Sequence, residues 1–229
     1  MNIPAHYAEV RPWWHRRRQF SLAELIADGI VHGIGIAFAI GLGTVLIVFA
    51  AIGTAGQELP ALIVYVTALL TVLGVSLAFN LAPVSGFKKL MARLDQAAIF
   101  LFIAGTYTPF LAVLGGTRDG QLLTALVWGA ALIGVALKLI VPQRFGRLAI
   151  VLYLAIGCSG VLVFQTLASA LPPVALWMLV AGGVTYSAGI IFHLWERLKF
   201  HIALWHVFVV AGSMLHLWAI FDCMVLSRA

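Results

Sequence analysis

The chain has 229 residues, of which 63% are hydrophobic and only 10% charged. A soluble domain is about 45–50% apolar and about 25% charged, so there is too little polar surface here to coat a soluble globule. The net charge of +6 does not make a nucleic-acid surface, because the basic residues sit in short segments between apolar runs, as membrane orientation requires; the partners indicated are membrane lipids.

Residues 1–20 read as a basic tail. The stretch MNIPAHYAEVRPWWHRRRQ is polar and lacks a short apolar core with a small-residue cleavage site, so it does not read as a signal peptide. Trp13 and Trp14 beside Arg16, Arg17 and Arg18 have the character of interfacial anchors, and the cluster attracts anionic headgroups. Residues 21–229 form the transmembrane domain. Apolar segments follow at 21–52, 61–81, 94–114, 121–141, 146–168, 174–195 and 199–224. Each reaches the ~20 residues a helix needs to cross a hydrocarbon core. Barrel strands would be half as long and would alternate in polarity. The fold class is therefore all-α, an integral membrane bundle of seven transmembrane helices. The breaker-rich connections GTAGQELP, GGTRDGQ, VPQRFG and ASALPP are short and make neighbours antiparallel.

Lysine and arginine set the orientation. With the amino terminus in the cytoplasm, the inner segments carry Arg11, Arg16, Arg17, Arg18, Lys88, Lys89, Arg93, Lys138, Arg144, Arg147, Arg197 and Lys199, and the outer ones only Arg118 and Arg228. That bias predicts a cytoplasmic amino terminus in a multi-pass inner-membrane protein. Cys158 and Cys223 lie in separate apolar runs with no CxxC or Cys/His spacing, which indicates neither a disulfide framework nor a zinc finger.

The first helix opens on SLAE, a capping box of Ser21 and Glu24. Gly29, Gly33, Ala37 and Gly41 recur every fourth residue; they read either as a small-residue face for close helix packing or as glycines merely tolerated in a membrane helix. Glu24, Asp28 and His32 are spaced i, i+4, i+8 and share another face. Under the charge-derived topology, Ser76 and Asn80 end helix 2, Asp95 and Gln96 open helix 3, and His201 and His206 open helix 7, all at the same membrane depth. Ionisable groups inside a membrane helix are costly and generally face the bundle interior. The candidate pocket is accordingly Glu24, Asp28, His32, Ser76, Asn80, Asp95, His201 and His206, with His216 deeper. Glu24 reads equally as a helix cap. Glu196, Arg197 and Lys199 read as a solvated loop, and His193 as interfacial.

Three stretches, ELIADGIVHGIG, RLDQAAIFLFIAGTYTPF and LWHVFVVAGSMLH, resemble the haemolysin III family, the bacterial branch of the progestin and adiponectin receptor superfamily. The similarity runs over nearly the whole chain after Ser21. It implies seven helices with the amino terminus inside. In the superfamily's receptors it further implies a zinc ion held by one histidine of helix 2 and two of helix 7. An aspartate of helix 3 holds the zinc-bound water, for hydrolysis of a lipid amide. Three protein ligands leave zinc an open position, where it lowers the pKa of its water to about 7.

Carried onto this chain, the aspartate falls on Asp95, the serine preceding the helix-2 histidine on Ser76, and the second helix-7 histidine on His206. The helix-2 histidine itself is Asn80 and the first helix-7 histidine is Ile202, so two of the three implied ligands are absent. His201 does not substitute easily: at ~100° per residue, positions five apart point about 140° apart on a helix, against about 40° for positions four apart. His32 is the candidate to stand in beside Asp95 and His206; the alternative is a metal-free hydrogen-bonded cluster of Asp28, His32, Ser76, Asn80, Asp95 and His206 that stabilises the bundle interior or relays protons. The resemblance thus offers zinc as the only implied cofactor, with Asp95 and Ser76 as catalytic candidates and His206 as the metal candidate. Three functions follow: membrane lipid homeostasis with a polar pocket, a zinc-dependent hydrolase of a lipid amide, and a channel or pore. The last fits worst, because polar groups thin out beyond the cytoplasmic half, leaving mainly Thr106, Tyr107, Thr108, Ser213 and His216 to line a passage.

Overall fold

In the computed structural model, which describes residues 20–53, 56–141 and 146–228, the capping box at Ser21 is made. The Ser21 hydroxyl accepts from the Glu24 amide at 3.3 Å, and the Glu24 carboxylate accepts from the Ser21 amide at 3.0 Å. Helix α1 (Leu22–Ile52) follows, then α2 (Leu59–Leu81), α3 (Gly86–Val113) and α4 (Arg118–Ile140). The fifth span is composite: α5 (Gly146–Gly157), a 3-10 segment (Ser159–Val163) and α6 (Phe164–Ala170). Helices α7 (Pro173–Leu194) and α8 (His201–Met224) complete the chain. These make 7 runs long and apolar enough to cross a membrane, and the described residues contain no strand. The basic tail with Trp13 and Trp14, and Arg144, lie outside the described residues.

Neighbours in sequence pack as neighbours in space along α1–α2–α3–α4, and α7 packs on α8. The fold closes because α1 also packs on α8, which brings the first and last spans together. Tyr65, Leu62, Leu69, Leu73, Phe102, Phe110 and Ile220 fill the interior. Phe100, Leu123, Val127 and Ile156 fill a second, smaller core around α4 and α5. The apolar residues turned outward, among them Ile30, Ile34 and Phe38 of α1 and Leu132 and Ile133 of α4, form the surface a lipid bilayer accepts.

The structure departs from the sequence reading in three places. Helix α3 starts at Gly86, about two turns before the predicted 94, because its first turns are polar and serve the neighbouring helix. Ser85 caps α3 by accepting from the Lys88 amide. The Lys88 ammonium donates to the Phe79 and Ala82 carbonyls at 3.0 and 2.8 Å, closing the carboxyl end of α2, where a cation is favourable. A hydropathy reading does not register such turns.

The small-residue face is the second departure. A Cβ at Gly29, Gly33 or Gly41 would meet nothing within 4 Å, and Gly33, Ala37 and Gly41 are exposed. The buried face of α1 carries Gly35, Ala39 and Gly43 instead. A Cβ on Gly35 would lie 2.7 Å from Val210 of α8, and one on Gly43 2.9 Å from Val66 of α2. The face that packs is the one continuous with Glu24, Asp28 and His32. Two four-residue periods of small residues were present, and the polar residues mark which of them turns inward.

Third, the fifth span is interrupted. Backbone groups in the hydrocarbon region need partners inside the protein, and Tyr107 of α3 supplies them. Its hydroxyl donates to the Gly157 carbonyl at 2.6 Å and accepts from the Gly160 amide at 2.9 Å. Thr166 of α6 also donates to Asp119 at the start of α4.

Two stability measurements in detergent check this packing. Gly35→Leu should lower the unfolding midpoint by the equivalent of about 1–3 kcal/mol, the usual cost of overpacking, while Gly33→Leu leaves it nearly unchanged; equal effects would reject the assignment of faces. Tyr107→Phe should cost about 1 kcal/mol and raise proteolysis or amide exchange selectively around residues 157–160. Exchange unchanged there would mean that the break does not depend on Tyr107.

Candidate functional site

Three helices bring their polar residues together near the amino-terminal end of α1. Asp28 and His32 come from α1, Ser76 and Asn80 from the last turns of α2, and His206 from the second turn of α8. All five are buried, with His32 0%, Asp28 3% and His206 6% exposed.

The hydrogen bonds fix most of the protons. A carboxylate accepts and cannot donate, so His206 carries a proton on Nδ1 and donates it to Asp28 Oδ1 at 2.5 Å. Asn80 Nδ2 donates to the other oxygen, Oδ2, at 2.8 Å. The Ser76 hydroxyl lies 3.3 Å from His206 Nε2, within hydrogen-bond reach of the ring's other nitrogen. His32 Nδ1 lies 2.9 Å from the Asp28 backbone carbonyl, which also only accepts, so this ring too carries its proton on Nδ1. Its Nε2 is buried with no hydrogen-bond partner. The two imidazoles meet edge to face with centroids 4.2 Å apart.

Glu24 lies one turn before Asp28 and does a different job. Besides capping α1, its Oε1 accepts from the Phe200 amide at 3.0 Å. Phe200 is the residue before α8 and has φ 60°, a left-handed conformation that costs a bulky side chain about 1–2 kcal/mol. Glu24 thus straps the entry of α8 to the entry of α1. His201 turns away from the cluster, as its angular offset from His206 predicts: its Nδ1 is 3.3 Å from the Phe192 carbonyl, and its ring faces Phe20. His216 belongs to the α7–α8 contact. Its Nε2 donates to the Leu179 carbonyl at 3.0 Å, and the ring sits over Gly182, where any Cβ would come within 2.2 Å of it. Asp95 is half-buried in the third turn of α3. The following residue, Gln96, accepts from the Tyr153 hydroxyl through its carbonyl.

Among the described residues, the side chains able to hold a metal that converge are Asp28, His32 and His206, whose donor atoms all lie within 4.8 Å of one another; Asp95 is not of this group. The positions that the resemblance assigns to zinc do not fit the ion. Ile202 has no donor, and the Asn80 amide nitrogen is given to Asp28. The sequence pattern held the signal for the converging set, since a carboxylate and an imidazole at i, i+4 on a buried face already point the same way. What it could not supply was the pairing of that face with His206.

Asp28→Ala should lower the unfolding midpoint in detergent by the equivalent of about 3 kcal/mol or more, since it leaves buried donors of two helices without their acceptor. A midpoint equal to that of the wild type would show that the carboxylate does not hold the three helices together.

Comparison with known proteins agrees with this architecture. The family model described as "Haemolysin-III related" matches residues 20–217. The chain is 36% identical over 208 residues to the "Hemolysin-3 homolog" of Bacillus subtilis (strain 168), covering 90% of this chain and 95% of that protein. It is 35% identical over 198 residues to "Hemolysin-3" of Bacillus cereus, covering 86% and 90%. A more distant similarity, 26% over 127 residues, reaches the human "Monocyte to macrophage differentiation factor" and covers 55% of this chain. With its membrane-crossing helices and these bacterial relatives, the chain is a multi-pass protein of the bacterial inner membrane that belongs to the haemolysin III family.

Proposed function

We infer that this protein acts in membrane lipid homeostasis, through a polar pocket that faces the cytoplasmic leaflet and receives the polar part of a lipid. The observation that carries this reading is the buried cluster of Asp28, His32, Ser76, Asn80 and His206, gathered at one end of a bundle whose outer faces are apolar. The cluster joins three helices, and ionisable groups gathered inside a membrane bundle also mark functional sites. A second feature supports it. The first turns of α3 line a cleft of about 250 Å³ with Gly86, Lys89, Leu90 and Arg93. Basic side chains at a membrane interface attract anionic headgroups, each contributing about 1 kcal/mol. The amino-terminal end of α1 and these basic residues then share the cytoplasmic side, as the distribution of lysine and arginine predicts.

The pocket favours this reading over a pore. Below the cluster the interior is occupied by Tyr65, Leu69, Leu73 and Phe102, all buried and packed on one another. A water-filled path through one chain would need polar lining through the full membrane depth. Hydrolysis of a lipid amide by the ligand set of the superfamily's receptors has no support from Asn80 and Ile202.

Lipid extracts of a bacterial host that overproduces the protein test the reading. Wild type should shift the distribution of headgroup or acyl-chain classes, measured by mass spectrometry, relative to a host carrying the empty vector. His206→Ala, made to the same level in the membrane, should not. Identical profiles for all three would overturn the lipid reading.

A further inference from the structure

We propose that Asp28, His32 and His206 bind one divalent cation of the zinc class, in a donor set built on α1 and α8 rather than on the α2 and α8 positions used by the superfamily's receptors. One carboxylate oxygen and two imidazole nitrogens form a set that zinc accepts, and three protein ligands leave a coordination position open. Hard cations such as magnesium and calcium favour all-oxygen sites, so the two imidazoles select against them. The donor atoms lie within 4.8 Å of one another. A tetrahedral site with bonds of about 2.0–2.1 Å places its donors about 3.3 Å apart: Asp28 Oδ1 and His206 Nδ1, 2.5 Å apart, part by roughly 0.8 Å as the ion displaces the proton between them, and a pair at the 4.8 Å limit closes by roughly 1.5 Å.

The independent observation is the state of His32. Its ring is wholly buried, its Nδ1 proton is held by the Asp28 carbonyl, and its Nε2 has no partner. Metal-bound histidines commonly donate their second nitrogen to a backbone carbonyl, which fixes the tautomer and leaves the other lone pair for the ion. An orphaned, buried acceptor costs its full desolvation; His216 has the same pattern at the α7–α8 contact, its Nε2 on the Leu179 carbonyl and its Nδ1 without a partner, and what sets His32 apart is the carboxylate and second imidazole that converge beside it. The neighbours complete the arrangement: Asn80 holds the second oxygen of Asp28, and Ser76 lies beside His206, both suited to orient ligands from outside the coordination sphere. Asn80 thus acts as a positioning residue at the place where the receptors use a ligand.

The test uses the full chain purified in detergent, stripped with a chelator and then given zinc alone. Wild type should keep about one zinc per chain after gel filtration, read by elemental mass spectrometry, the stoichiometry of a single site. His32→Gln and Asp28→Asn should keep almost none. Asn80→Ala should bind about 10–100-fold more weakly, the usual loss on removing a partner outside the coordination sphere. Zinc should raise the melting midpoint of wild type and not of His32→Gln. Where His32→Gln does not survive purification, His32→Cys loaded with cobalt carries the test, because a thiolate ligand at that position adds a thiolate-to-cobalt charge-transfer band. No zinc uptake by wild type, full uptake by His32→Gln, or no such band from cobalt-loaded His32→Cys would overturn the site. The site stands on the pocket's geometry alone: protein without zinc that still shifts the host's lipids overturns the site and spares the lipid reading, and the reverse result does the opposite.

Discussion

A carboxylate withdrawn from water needs a donor on each oxygen, and Asp28 finds its donors on two different helices. Oδ1 accepts from His206 of α8 and Oδ2 from Asn80 of α2. In lipid there is little hydrophobic gain from bringing helices together, so packing and interhelical hydrogen bonds decide which faces meet. Asp28 therefore sets the rotation of α1 about its own axis. Once it points inward, Gly35, Ala39 and Gly43 point inward after it, and close approach of α2 and α8 follows from the absence of side chains at the two glycines. The interior order of the bundle and the geometry of the polar cluster have one origin.

The cluster also gives a physical account of the two positions at which the chain departs from the receptors it resembles. Asn80 cannot do a histidine's work on a metal, but its amide holds a carboxylate well. Ile202 is buried and apolar one turn ahead of His206. The polar chemistry has moved towards α1, where the carboxylate and imidazole of one helix face the imidazole of another. A difference that reads in isolation as loss of ligands reads in three dimensions as a different arrangement of polar groups around Asp28.

Much of the architecture was legible in the sequence because hydropathy and helix caps are local signals. The seven spans, the Ser21 cap and the common face of Glu24, Asp28 and His32 needed only spacing. The site was legible as a depth and not as a set of contacts: Asp28 and His206 are separated by 178 positions, and no local pattern encodes that pairing. The start of α3 was hidden because its first turns are basic and stabilise α2 instead of the membrane interior. The outward-facing glycines misled because a four-residue period of small residues has the same form on either face. Tyr107 gave no warning that it would hold open a break in another helix.

The strap between Glu24 and the Phe200 amide, with Asp28 and His206 one turn deeper, has a consequence for the order of events during synthesis. A chain is made from its amino terminus and its segments enter the membrane in sequence. Helix α1 thus waits with two acidic side chains in or near the hydrocarbon until the last span arrives, 176 residues after Glu24 in the case of Phe200. Before that moment Asp28 has Asn80 of α2 and His32 of its own helix beside it but lacks His206, and a poorly compensated charge in lipid is costly. A nascent or truncated chain is consequently marked as unfinished by its first helix, and the arrival of α8 both completes the polar cluster and removes that mark.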